Sequence, residues 1–190
     1  VLKENKINLI SSGGTFKRIQ KLKFKCLEIS KFTNFNEILD GRVKTLHPKI
    51  YAGILNKRNF KSHQIELKKN NFENIDLVIV NFYPFEKTLE TTNNHKKILE
   101  NIDVGGPTMV RSAAKNYNDV TVITSTDQYQ ELIEEVNKNN GATSITALSL
   151  FFLSAFLRLC SRGIPSDDKI CSWLIIKKRA VINNCPFNIV

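Results

Sequence analysis

Ile75-Asp76-Leu77-Val78-Ile79-Val80 is apolar and β-branched, interrupted by a single acid, and it constrains the fold more than any other stretch of the chain. A strand with one wet face alternates apolar and polar residues, whereas one that is apolar on both faces needs cover on both. Helices provide that cover in parallel α/β sheets, and ligands in such sheets gather at the carboxyl ends of the strands. The run ends at Asn81-Phe82-Tyr83-Pro84-Phe85, which puts Asn81 and Tyr83 where a ligand would be met.

The rest of the chain repeats the alternation. Ile7-Asn8-Leu9-Ile10 predicts a strand that stops at Ser11-Ser12-Gly13-Gly14-Thr15, and Phe16, Ile19 and Leu22 then fall at helical spacing. Lys25 to Ile29 predicts a second short strand, and Phe35 to Leu39 a helical turn. Polar helices are expected over 62–69 and 86–100, and another over 108–116 with Pro107 in its first turn. Val120 to Ile123 predicts a strand, and 127–138 an amphipathic helix with Tyr129, Leu132, Ile133 and Val136 inward. The fold class is therefore α/β, an open and mainly parallel sheet flanked by helices. Composition changes at Asn139-Asn140-Gly141, which divides a domain over 1–140 from a helical tail over 141–190.

Several polar loops carry chemistry. In Ser12-Gly13-Gly14-Thr15 two glycines flanked by hydroxyls can surround a phosphate at a helix N-terminus, where the dipole also favours an anion. Asp40-Gly41-Arg42-Val43-Lys44-Thr45-Leu46-His47-Pro48 packs two cations, a hydroxyl and an imidazole between a glycine and a proline. In extended backbone Arg42 and Lys44 would point the same way and close on one anionic ligand. Pro48 biases His47 away from the α region, so that histidine either acts as a base or simply anchors the loop. Asp103-Val104-Gly105-Gly106-Pro107 suggests close backbone approach, and Arg111 and Lys115 share a helix face. Each of these also has a bland reading, as an ordinary turn or a solvated basic surface.

A formal charge of +10 and a pI near 9.5 favour anionic partners, whether phosphorylated metabolites, nucleic acid or an acidic surface. The basicity is spread along a chain rich in Lys, Asn and Ile, which argues against a dedicated nucleic-acid groove. Cys26, Cys160, Cys171 and Cys185 contain no CxxC pair, so neither zinc spacing nor a disulfide framework is indicated, and a reducing cytoplasm is the default. The apolar run from Ala147 to Leu159 is too short to span a bilayer and contains Arg158.

Taken together, Ser12-Gly13-Gly14-Thr15, Asp40 to Pro48, Asn81 to Phe85, and Ile102-Asp103-Val104-Gly105-Gly106-Pro107-Thr108 through Asn116 resemble the IMP cyclohydrolase domain of the bifunctional purine-biosynthesis enzymes that also carry AICAR formyltransferase. The blocks occur in family order over roughly residues 5 to 140. The resemblance implies a methylglyoxal-synthase-like fold, a homodimer, and dehydrative closure of 5-formamidoimidazole-4-carboxamide ribotide to IMP without metal or organic cofactor. It implies Lys44, Tyr83, Asp103 and Lys115 as catalytic residues. Ser12, Gly13, Gly14, Thr15, Arg42, Thr45, Asn81, Val104 and Gly105 would bind the nucleotide, with Arg42 and Lys44 on the base and the Ser12 to Thr15 turn on the phosphate.

The resemblance also implies an earlier strand and phosphate loop before Val1, so that a central strand of the sheet is expected to be missing. The family's transformylase part is not matched. Over 141–190 the match weakens: Thr143-Ser144, Ala155-Phe156 and Trp173 fit, and nothing beyond Trp173 does. Two other readings compete with the enzyme. One is a regulatory module of the same fold that binds a phosphorylated effector without chemistry, and the other is a basic polynucleotide binder.

Overall fold

The computed structural model describes residues 1–82, 85–144, 147 and 151, apart from the side chains of 86 and 87, together with the backbone of 179–183. Strand β1 (Asn8–Ser11) leads through the glycine turn into helix α1 (Gly13–Lys21), then β2 (Leu27–Glu28) and α2 (Ile29–Thr33). Helices α3 (Pro48–Leu55) and α4 (Lys61–Lys69) precede β3 (Leu77–Val80); α5 (Phe85–Thr91), α6 (His95–Glu100) and α7 (Gly105–Lys115) follow it. The chain continues with β4 (Thr121–Ile123), α8 (Tyr129–Lys138) and β5 (Arg179–Asn183).

The five strands form one sheet in the order β2-β1-β5-β3-β4, and every pairing is parallel. All carboxyl ends therefore lie along one edge. Residues of β3 alternate between two apolar layers: Val78 and Val80 join Ile10, Ile50, Ile54, Met109 and Val110 on one side. Leu77 and Ile79 join Ile123, Leu132 and Val136 on the other. This two-sided burial is why the run lacks polar alternation, and each such side chain contributes about 1.5–3 kcal/mol.

Three contacts tie α3 and the segment after it to α7 and to the lead-in of β3. The Asn116 side chain, just past α7, donates to the carbonyls of Ile54 and Asn56 at 2.8 and 2.9 Å. Gly53 lets α3 approach the lead-in to β3: a Cβ there would stand 2.6 Å from the Glu73 carbonyl oxygen. Arg58 then bridges to the buried Asp76 carboxylate at 3.2 Å.

Four expectations are corrected. The helical turn expected over Phe35 to Leu39 lies earlier, at Ile29–Thr33, because Asn34 takes left-handed backbone (φ 56°) and ends it. The single helix over 86–100 breaks after Thr91 and restarts at Asn94, whose side chain accepts the Lys97 N–H at 3.2 Å. Ile133, expected inward on α8, is 36% exposed. The tail expected to be helical contributes a strand, since β5 sits between β1 and β3, pairing Asn8 with Arg179 and Leu77 with Ala180. A tail that is helical throughout therefore does not describe 179–183.

Candidate active site

Three loops meet at the carboxyl edge. The first begins where β1 ends: Gly13 adopts φ 56°, which a glycine takes without penalty, and α1 starts there. Ser12 is buried and its hydroxyl makes no capping bond, while a Cβ on Gly14 would meet nothing within 4 Å. Ser12 thus gives the first turn no side-chain cap, and the Gly14 position borders open space, the electrostatic condition for holding an anion. Thr15, also buried, completes the turn.

The second loop is folded, not extended. An antiparallel bridge joins Ile38 to Val43 and closes a tight turn in which Leu39, Asp40 and Gly41 all have positive φ. Arg42 and Lys44 consequently part, contrary to the alternation expected of an extended strand. Arg42 is exposed and pairs with Glu100 at the end of α6. Lys44 instead turns to the first loop, its Nζ 3.8 Å from the position of a Cβ on Gly13. This places Lys44 at the glycine turn rather than only at the base-binding wall expected of it.

His47 is the N-cap of α3. Its Nδ1 accepts the Lys49 N–H at 3.1 Å, and burial, aided by the Lys49 charge, lowers its pKa from the ordinary value. A neutral imidazole whose Nδ1 lone pair is engaged anchors the helix, so the anchoring alternative holds at this nitrogen. Between Lys44 and His47, Thr45 is 4% exposed and packs its hydroxyl on Gly105, where a Cβ would collide with Oγ1.

The third loop starts α7. Asp103 Oδ1 accepts the Gly106 N–H at 3.0 Å, and a Cβ on Gly106 would collide with Oδ2 and come within 2.9 Å of Val80 Cγ1. The two glycines therefore let the helix start lie directly against Thr45, Asp103 and the end of β3. Val104 is 56% exposed, and its carbonyl accepts the Thr108 hydroxyl at 2.7 Å. Asn81, at the end of β3, donates to Tyr129 Oη at 2.7 Å, while its Oδ1 is buried without a hydrogen-bond partner.

Sequence reasoning passed over Tyr51. It sits on α3, packed against the core, with its hydroxyl toward Thr108 and within the field of Asp103. Burial, with a smaller contribution from Asp103 and against hydrogen bonding toward Thr108, pushes the phenol up to about 12. The contact with Thr108 falls short of normal hydrogen-bond geometry, which leaves Oη unsatisfied. A phenol one position after a buried Ile50, facing α7, was the available signal.

Of the remaining expected residues, one is undescribed and one stands apart from this group. Tyr83 lies outside the described residues. Lys115 is exposed at the last position of α7, whose eleven residues put it about 15 Å along the axis from Gly105, farther than its side chain spans. Among the described residues no cluster of three or more His, Cys, Asp or Glu could hold a metal ion, and no helix is long and apolar enough to cross a membrane. A cavity of about 840 Å³ opens elsewhere, lined by Leu2, Ile7, Ile19, Phe24, Leu132 and Ile133 among others. It is mainly apolar and includes none of Lys44, Thr45, Asn81 or Asp103, so it is not where a nucleotide would be gripped.

A parallel α/β sheet with a lysine over a glycine turn and a carboxylate at the start of a neighbouring helix is the arrangement at its carboxyl edge. Residues 1–108 match the MGS-like domain, and the chain belongs to that family. Residues 113–185 match the AICARFT/IMPCHase bienzyme model. The chain is similar to the bifunctional purine biosynthesis protein PurH of Prochlorococcus marinus strain MIT 9215, with 52% identity over 181 residues, 89% of this chain and 35% of that protein. The PurH of strain MIT 9515 is 46% identical over 90% of this chain and 32% of its own length, and that of Bradyrhizobium diazoefficiens 39% over 88% and 31%. The chain thus spans about a third of the length of these curated relatives. Among solved structures, that titled "Crystal structure of ForH" superposes with a TM-score of 0.72 at 26% identity, covering 84% of this chain and 83% of that one.

Proposed function

We propose that this chain is an IMP cyclohydrolase unit, closing 5-formamidoimidazole-4-carboxamide ribotide to IMP in purine biosynthesis. The observation that carries the reading is the convergence of Lys44 on the Gly13 turn and of Thr45 and Asp103 on the Gly105-Gly106 helix start. It offers an anion grip and a carboxylate acceptor on neighbouring loops, and the similarity to PurH supplies the substrate.

In the reaction the carboxamide nitrogen attacks the formyl carbon and one of its protons passes to Asp103. The formyl oxygen takes up a proton to give a carbinolamine. That hydroxyl then leaves as water with the proton of the former formamide nitrogen, and the new ring retains one N–H. Both reacting groups belong to one molecule, so holding them in attack geometry supplies a large share of the acceleration. Lys44 and the Ser12 to Thr15 turn hold the nucleotide's anionic end. Thr45, Asn81, Val104 and Gly105 border the base, Arg42 flanks it after releasing Glu100, and Tyr83 donates to the developing oxyanion.

Lys115 can serve only a site that a second copy of the chain presents to it, which fits a homodimer. The same reading gives the chain a cytoplasmic setting and a formyltransferase part as its natural neighbour. The test supplies the formylated ribotide and follows IMP by chromatography. Binding of IMP without ring closure would favour the regulatory module of the same fold.

A further inference from the structure

Three buried side-chain oxygens among the described residues have no hydrogen-bond partner: Tyr51 Oη, Asn74 Oδ1 and Asn81 Oδ1. A buried polar atom left unpaired costs as much as a lost hydrogen bond, so each calls for a reason. Asn74 precedes β3 and stands roughly 20 Å from the carboxyl edge along the strand, away from the site. Tyr51 and Asn81 are on the site side.

The surroundings of Tyr51 define what it can do. Its ring, carried on α3, packs against the core, and α3 is fixed to α7 through Asn116. The Thr108 hydroxyl spends its proton on the Val104 carbonyl, so toward Tyr51 it can only accept. The phenol stays protonated at any physiological pH because burial opposes its ionisation. Asp103, whose charge is felt at the phenol, caps the same helix start through Gly106 and as a carboxylate only accepts. The start of α7 therefore gathers a neutral O–H donor and a carboxylate acceptor at one helix end.

An adjacent donor and acceptor match an amide edge, in which a carbonyl oxygen lies beside an N–H. We propose that Tyr51 is a base-reading residue of this site, donating to the carboxamide carbonyl of the substrate and, after closure, to the 6-oxo group of the purine while Asp103 accepts the adjoining N–H. The assignment rests on the cyclohydrolase reading. It makes the site selective for a 6-oxo purine over a 6-amino purine, because adenine presents an acceptor where Asp103 needs a donor and a donor where Tyr51 needs an acceptor.

The experiment measures IMP and AMP binding by calorimetry to the full chain and to Tyr51→Phe, which keeps the ring and its packing. IMP should bind the native chain at least about tenfold tighter than AMP, and Tyr51→Phe should lose about tenfold for IMP and little for AMP, the worth of one hydrogen bond. An IMP-to-AMP ratio unchanged in Tyr51→Phe overturns the assignment, as does a native chain that binds both alike or neither. Should Tyr51→Phe fail to fold, the 6-thio analogue of IMP tests the native chain alone: sulfur accepts poorly, so binding should weaken, and equal affinity overturns the proposal. Turnover of the formylated ribotide is assayed separately. Selective IMP binding without ring closure would sink the cyclohydrolase reading while leaving Tyr51 as a reader of the oxo group.

Discussion

Lys44 Nζ lies 3.8 Å from the position a Cβ would take on Gly13, so a lysine from one loop tops the glycine turn of another. A cation and the N-terminal end of a nine-residue helix then act on the same small volume. The two neighbouring glycines there have separable roles.

Gly13 has φ 56°, and its Cβ position is only in ordinary contact with Lys44, so Gly13→Ala is opposed by backbone strain and not by crowding. Its melting curve should report a loss of about 1–2 kcal/mol. Gly14 has no positive φ and open space at its Cβ position. Gly14→Ala should therefore melt within about 0.5 kcal/mol of the native chain, yet bind IMP less well because the methyl enters the space left for the anion. If both variants melt alike and bind alike, the turn is not an anion cradle.

Gly105 and Thr45 are coupled by contact. A methyl at Gly105 collides with Thr45 Oγ1, and overpacking of this kind costs about 1–3 kcal/mol. Removing the hydroxyl in Thr45→Ala should recover much of that loss in the double variant. A double-mutant cycle on denaturant midpoints measures it, and strict additivity would mean that the helix start does not rest on Thr45.

His47 gives a pH signature. Its pKa is lowered in the fold, so the neutral form is favoured there; the stability this provides is present above the ordinary histidine pKa and is lost as pH falls through the lowered value. Protonation removes the Nδ1 lone pair that caps α3. His47→Asn preserves a cap acceptor without titrating, so it should flatten the acid-side loss of stability, whereas His47→Ala should cost about 1 kcal/mol at neutral pH. The pH profile of ring closure should be the same in His47→Asn as in the native chain. A missing acid-side limb would instead restore His47 as a general base.

Elements set by local pattern were legible in the sequence. Val78 and Val80 against Leu77 and Ile79 declare a two-sided strand, and Pro107 marks the start of α7. What failed depended on contacts between distant segments or on single backbone angles. Arg179 to Asn183 holds only three apolar residues in the stretch where the family pattern was lost, and its pairing with β1 and β3 is what makes it central. The turn through Leu39, Asp40 and Gly41 reverses the direction that alternation assigns to Arg42 and Lys44. The residue types of the site could be read, but which of them meet could not, because Thr45 finds Gly105 across sixty residues only through the packing of α3 on α7.

Helix α7 separates Asp103 from Lys115, since its eleven residues begin two positions after Asp103 and end at Lys115. If both are catalytic, one chain cannot supply them to one site, and two copies must each lend a residue to the other. Asp103→Asn retains an oxygen to cap Gly106 but cannot take the carboxamide proton, and Lys115→Ala removes the ammonium; each variant alone should lose most turnover. Mixed after unfolding and refolding together, they should recover about a quarter of native activity, because random pairing makes half the dimers mixed and one site of two in each is intact. Sedimentation of the mixture checks that dimers form. Recovery of activity would place the two residues on different copies, and a mixture as inactive as its parents would remove Lys115 from the reaction or the second copy from the site.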